Sequence, residues 1–418
     1  MAWKKAELLA ALKELRDRTD ELMGLLDQQE DGVDVAPESS WSFPYTPESG
    51  SCTASFRIAS ETALRALLNP VQYVFECLTG GSETKALVAL VQSGAPDQLG
   101  KQETLSIDEL ASRCKAVPDR LRAVIRISAR LGILQETKPL SDVWTHTPHS
   151  LVLRKDSSAP IWAMTSWSQA FVTKIMDKVP DLVSQENAGK TGVELACGKA
   201  SVFEILSEPQ NADLSTYFNL TMKASSPFMA GGVADDYPWE QFGRDATVVD
   251  VGGGIGSQMI VVAKKHPKMQ FVVQDLEHVC QGGRKFWQTQ MPDDMSRRVH
   301  FQAHDFYTPQ PVELPNNLRP SVYWMRWIIH DWDDDKAIKI LQALRHSVQP
   351  GAKLLLGEFV VTEHLSKVAA QWMLSMLLYG GTERTEHEYG VLLAASGWKI
   401  TKLYKTRSPL DIIECEAI

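Results

Sequence analysis

The chain has 418 residues, 44% of them apolar and 23% charged, so two or three domains with sizeable cores are within reach and a disordered, collagenous or low-complexity chain is excluded. Forty-three basic residues against 52 acidic ones leave a net charge of -9, which repels a polyphosphate at long range and disfavours nucleic acid as a partner. Six cysteines (Cys52, Cys77, Cys114, Cys197, Cys280, Cys415) form no CxxC pair and no Cys/His cluster, so neither a metal site nor a disulfide framework is encoded and a reducing, cytoplasmic compartment is expected.

In the first thirty residues Lys13, Glu14 and Arg16 stand where a signal peptide would need an unbroken apolar core. Leu8, Leu12, Leu15, Leu22 and Leu26 recur by four and three, with Thr19 in the remaining seam position, which predicts a helix whose narrow apolar stripe wants a partner helix. That partner is either another part of the chain or a second copy, and a homodimer is expected. Residues 28 to 50 are rich in Pro, Ser, Gly and acid and read as a linker or surface arm. From Ser51 to Lys155 short helices give way to IDELASRC, LRAVIRISARLG and two strand-like pieces, a winged-helix pattern. Arg122, Arg126 and Arg130 lie on one face of its second helix; the acidic chain makes a solvated face the better reading than a DNA-reading one.

Residues 156 to 232 are mainly helical and mix Trp162, Met164, Trp167, Phe171, Met176, Phe203, Phe218, Met222, Phe228 and Met229. Most belong to a core, and some can wall a flat apolar substrate. The apolar stretch Val368 to Tyr379 is broken by Gln371 and Ser375, too short to cross a bilayer, so no membrane is expected.

From Asp245 onward apolar strands alternate with amphipathic helices, which predicts an α/β fold with a mostly parallel sheet, and the closely spaced final pair predicts an antiparallel C-terminal hairpin. The first of these strands ends in Asp250-Val251-Gly252-Gly253-Gly254-Ile255-Gly256-Ser257 and opens into a helix. Ser257 stands where a dinucleotide fingerprint needs its last Gly; the spacing is D-x-G-x-G-x-G. Asp275 ends the second strand and can take both hydroxyls of a ribose, while Asp305 and Phe306 after the third suit an adenine amino group and ring. His330 follows the fourth strand at the same carboxyl edge. Glu358 interrupts the apolar strand LLLGEFVV and needs a partner, most economically the imidazole of His330 on the neighbouring strand. Glu383 precedes a helix, where it is either a cap or a functional acid.

In this order D-x-G-x-G-x-G, QDL, HDF, WMRWIIHDW, GE and GGTERT resemble the S-adenosylmethionine-dependent small-molecule O-methyltransferases of the plant caffeate type and their fungal secondary-metabolite relatives. The resemblance implies a winged-helix dimerisation domain over 1–155. It implies a class I methyltransferase domain with a Rossmann-like sheet over 156–418, including a substrate-lining segment at 156–232. It further implies S-adenosylmethionine as cofactor, no metal, and a hydroxyl on an aromatic or polyketide-like acceptor. His330 would be the general base, flanked and oriented by Glu358 and Glu383; Gly252, Gly254, Asp275, Asp305, Phe306 and Arg326 would line the cofactor. Gln371-Trp372 stand where the family often carries an acid, which points to a different acceptor pocket. Relatives that keep the cofactor but catalyse dehydration or pericyclic reactions form the alternative class, and retention of His330 favours methyl transfer.

Overall fold

The computed structural model describes residues 5–28, 47–348, 351–363, 365, 367–406, 408 and 410–418. Most of the expected linker, Arg407 and Pro409 of the last turn, and the side chains of Phe228 and Met229 lie outside that description. The chain forms two compact units, Met1–Lys178 with Ser201–Pro227, and Val179–Ala200 with Phe228–Ile418.

In the first unit the helix Lys5–Leu26 packs on the helix Pro47–Leu67. Leu8, Leu15 and Leu22 are half-buried, whereas Leu12 and Leu26 are exposed, so the stripe finds a partner within the chain that covers only part of it. Three short strands, β1 (Leu105–Ser106), β2 (Gln135–Glu136) and β3 (Val143–Thr145), form an antiparallel sheet in the order β1-β3-β2. The helices Ile107–Cys114 and Pro118–Arg130 lie between β1 and β2 in sequence. A reciprocal cap between Ser106 and Glu109 starts the first, and Leu110, Ile125 and Trp144 meet in the core. The arginine row is neutralised by acids: Arg122 binds Asp119 and Asp142, Arg126 binds Asp142 at 2.9 Å, and Arg130 binds Glu83. Trp167 stacks on Phe171 at 4.7 Å and meets Phe218 edge-on at 5.2 Å, so these aromatics are core, while Met164 and Phe203 are exposed.

The second unit is built on a seven-stranded sheet containing β4 (Thr247–Val251), β5 (Gln270–Asp275), β6 (Val299–Ala303), β7 (Val322–Arg326), β8 (Lys353–Glu358), β11 (Trp398–Tyr404) and β12 (Asp411–Ala417) in the order β11-β12-β8-β7-β4-β5-β6. Two further strands, β9 (Val360–Val361) and β10 (Arg384–Thr385), pair in parallel beside it. The strands from β8 through β7, β4 and β5 to β6 run parallel, and β12 lies antiparallel to both β8 and β11, as the hairpin reading expects. Successive residues of β4 feed opposite cores: Val248 packs with Phe271, Trp324 and Leu355, and Val249 with Val272, Tyr323 and Leu354. Such a sheet is apolar on both faces, so its polar side chains collect where the strands end.

Candidate active site

The turn after β4 is held by backbone. The N–H groups of Gly252 and Gly253 donate to the Gln274 carbonyl at 2.8 and 3.1 Å, and the indole of Trp287 donates to the Ile255 carbonyl at 2.9 Å. Gly252 (φ 71°) and Gly254 (φ 60°) are left-handed, a conformation that costs other residues free energy. A Cβ on Gly252 would lie 2.6 Å from Ile328, while the space over Gly254 is open. Asp275 at the end of β5 accepts from the Gly254 N–H at 2.9 Å and from the Leu276 N–H at 2.8 Å, leaving lone pairs on both oxygens.

Beneath the turn, burial pushes the Asp250 carboxyl up to about 7, opposed by Arg326 and reinforced by Asp275. Asp250 Oδ2 and Arg326 Nη1 have no hydrogen-bond partner among the described residues. Arg326, the last residue of β7, lies 4.3 Å from the ring centroid of Trp327. Past β6, Asp305 is exposed and accepts from the Tyr307 N–H. Phe306 forms a wall with Tyr307 at 5.3 Å and Trp332 at 6.2 Å. The open Gly254 face, the acid of Asp275, the aromatic wall and the orphaned polar atoms under the turn suit a nucleoside ligand carrying a polar tail.

His330 sits in the 3-10 turn Ile329–Asp331 after β7 and is 3% exposed. Its Nδ1 lies 2.8 Å from Glu383 Oε1 and 3.8 Å from Glu358 Oε2. The expected pairing with Glu358 is present as an ion pair, but the hydrogen bond goes to Glu383. Register gives the reason. Arg326 is level with Gly357, which sets Glu358 beside Trp327, three residues short of the histidine. Glu358 Oε1 instead accepts from the N–H groups of Ile328 and Ile329 at 3.3 and 3.0 Å, fixing the backbone just before His330 where Trp327 adopts φ 54°.

Burial opposes a charge on His330, but Glu358, Glu383 and Asp331 outweigh it and push the imidazole up to about 9. Burial likewise pushes the Glu358 carboxyl up to about 7 against the pull of His330. A hydrogen bond from Nδ1–H to Glu383 leaves the Nε2 lone pair free to accept a proton; Asp331 Oδ1 is 3.5 Å from Nε2.

The structure thus gathers His330, Glu358 and Glu383 into one buried cluster and sets Gly252, Gly254 and Asp275 around one turn. Sequence reasoning gave no role to Trp327, Tyr307 or Trp332. The last stands two residues after His330, and its aromatic character was the available signal. Among the described residues no group of His, Cys, Asp and Glu could hold a metal ion, and no helix is long and apolar enough to cross a membrane.

Residues 179–399 match a family described as an O-methyltransferase domain. A dual O-methyltransferase and FAD-dependent monooxygenase of Cercospora beticola is 25% identical over 95% of this chain; the chain spans 46% of that relative's length. The phenazine O-methyltransferase of Lysobacter antibioticus is 29% identical over 82% of this chain and 96% of its own. The solved structure of a mitomycin 7-O-methyltransferase superposes with a TM-score of 0.70 at 25% identity, covering 85% of this chain and 100% of that one.

Proposed function

The chain belongs to the O-methyltransferase domain family and is an S-adenosylmethionine-dependent O-methyltransferase, and on that premise we propose that it methylates a hydroxyl of a flat phenolic or polyketide-like small molecule with His330 as general base. The observation that carries this reading is the 2.8 Å contact of Nδ1 with Glu383, which makes Nε2, 3.5 Å from Asp331 Oδ1, the nitrogen that can take a proton at the sheet edge that also bears the glycine turn. When bound, S-adenosylmethionine supplies an activated methyl group on a sulfonium. Gly252 and Gly254 through backbone, Asp275 toward the ribose, Asp305 and Phe306 toward the adenine, and Arg326 toward the tail are the residues that would hold it.

Nε2 takes the hydroxyl proton as the oxygen attacks, and the carboxylates of Glu383 and Glu358 stabilise the imidazolium. A phenol with a pKa of about 10 and an imidazole raised to about 9 are closely matched for proton transfer. Phenazine and mitomycin, named for two relatives, support a multi-ring acceptor. The free cysteines support a cytoplasmic location.

A homodimer is the remaining part of the proposal. The helix Pro70–Thr79 exposes Val71, Val74, Phe75 and Leu78, one apolar face at i, i+3, i+4 and i+7, which suits self-association. Light scattering at micromolar concentration is expected to give twice the chain mass, and Phe75→Asp to give the monomer; a wild-type monomer contradicts the dimer. The activity is tested by incubation with S-adenosylmethionine and a panel of multi-ring phenols. A gain of one CH2 in product mass is expected. An isomerised or dehydrated product with the cofactor unconsumed overturns the assignment.

A further inference from the structure

Arg384 follows Glu383 directly and is a cation only 2% exposed. Its Nε and Nη2 donate to Asp334 Oδ1 at 2.9 and 2.7 Å, Nη2 donates to the Trp332 carbonyl at 2.8 Å, and Nη1 donates to the carbonyls of Ile329 and Thr382, each at 3.2 Å. Three of these acceptors, Ile329, Trp332 and Asp334, lie within four residues of His330 in the sequence; the fourth, Thr382, lies beside Glu383. The planar guanidinium thus spans two loops that are some fifty residues apart in sequence, a geometry that a lysine ammonium cannot reproduce. Two other contacts join the same loops. The Thr382 N–H donates to the His330 carbonyl at 2.7 Å, and Gly381 passes so close to that carbonyl that a Cβ has no room.

Resting on the general-base reading of His330, we propose that Arg384 is a positioning residue: by joining the loop of His330 to the loop of Glu383 it holds the Glu383 carboxylate on Nδ1 and so fixes the imidazole tautomer with Nε2 free. A buried cation that only compensated the charge of the cluster would need none of the three backbone carbonyls. Without the guanidinium the carbonyls of Ile329 and Trp332 lose their donors, and Glu383 Oε1 is free to drift from Nδ1. A displacement of about 1 Å in such a pair costs on the order of a hundredfold in rate.

The test compares Arg384→Lys with Asp334→Asn, which weakens the same joint from the solvent side and leaves the core intact, Asp334 being 74% exposed. With 15N-histidine labelling above pH 9, where the imidazole is neutral, the wild-type chain is expected to show His330 as a single tautomer with a downfield Nδ1–H. Arg384→Lys should lose that resonance or average the tautomers, and Asp334→Asn should do so in part. On an accepted phenol, turnover of Arg384→Lys should fall on the order of a hundredfold, less for a more acidic phenol, with S-adenosylmethionine affinity within about twofold of wild type. Adding Glu383→Gln to Arg384→Lys should cost nothing further. An unchanged tautomer in Arg384→Lys overturns the proposal, as does a turnover loss equal for both phenols or a fully additive double variant. Failure of the wild-type protein to methylate any phenol while its tautomer signature stands intact defeats the base reading instead.

Discussion

The turn after β4 and the turn after β7 leave the same edge of one sheet, yet they are built in opposite ways. The first is glycine. Its left-handed residues bring bare backbone to the surface, and the polar atoms beneath it, Asp250 Oδ2 and Arg326 Nη1, have no partner among the described residues. The second turn is made of side chains, and Glu358, Glu383 and the Thr382 N–H bind it before any ligand arrives. A site that a large, flexible cofactor completes can leave its hydrogen bonds open. A group that must take a proton at one nitrogen within the lifetime of a transition state has to be aimed beforehand.

Substitutions should divide along that line. The largest effect is expected at the finished turn: His330→Ala should lower kcat by about 10² to 10⁴ while calorimetry gives nearly wild-type affinity for S-adenosylmethionine. If affinity and turnover fall together, the two turns are not separate devices. The same residue sets the pH response. The active form is the neutral imidazole, and the carboxylates raise its pKa to about 9. For a weakly acidic phenol kcat/KM should therefore rise with pH and level off near 9, falling by about tenfold per pH unit below that point. A phenol already ionised at neutral pH should show a flatter profile.

At the open turn the expected loss is in binding. Asp275→Ala should weaken S-adenosylmethionine by about 1.5 to 3 kcal/mol, the range of a hydrogen bond to a charged group, with kcat at saturating cofactor little changed. Unchanged affinity would remove Asp275 from the cofactor site.

The two glutamates sharpen the comparison further. Glu383→Gln should slow turnover by about ten- to a hundredfold and move the rising limb of the pH profile to lower pH, because one of the carboxylates that hold the imidazole proton is gone. Glu358→Gln keeps an oxygen for the Ile328 and Ile329 N–H groups and should cost only a fewfold in kcat, roughly the scale of one retained hydrogen bond. Steady-state rates that rank the two variants the other way would restore Glu358 as the direct partner.

That ranking marks where the sequence stops being readable. Alternation of strand and helix predicts the parallel sheet, and D-x-G-x-G-x-G predicts the turn, because both are local patterns. Adjacency of β7 and β8 also follows from order, which is why Glu358 looks like the partner of His330. What gives the direct hydrogen bond to Glu383 and leaves Glu358 at ion-pair distance is a three-residue offset in register together with the close approach of Gly381 to the His330 carbonyl, a contact between segments about fifty residues apart that no period encodes. The positive φ of Trp327 is equally invisible, since nothing in its neighbours calls for a left-handed tryptophan. The arginine row on the helix Pro118–Arg130 can be weighed from sequence only by charge; of its acids Asp119 is on the same helix, but Asp142 and Glu83 come from elsewhere in the chain.

The way the chain divides has a consequence for how such a protein can be recombined. Residues 179–200 belong to the unit of the sheet although residues 201–227, which follow them, return to the other unit. The chain therefore passes from one unit to the other at three places. A single crossover between two relatives, wherever it falls, leaves at least one unit assembled from both parents. Gly192, in the early segment, fits against Leu378 with no space for a Cβ. A chimaera joined between them must match a packing contact that neither parent was selected to share, and a clean exchange of one unit takes three junctions.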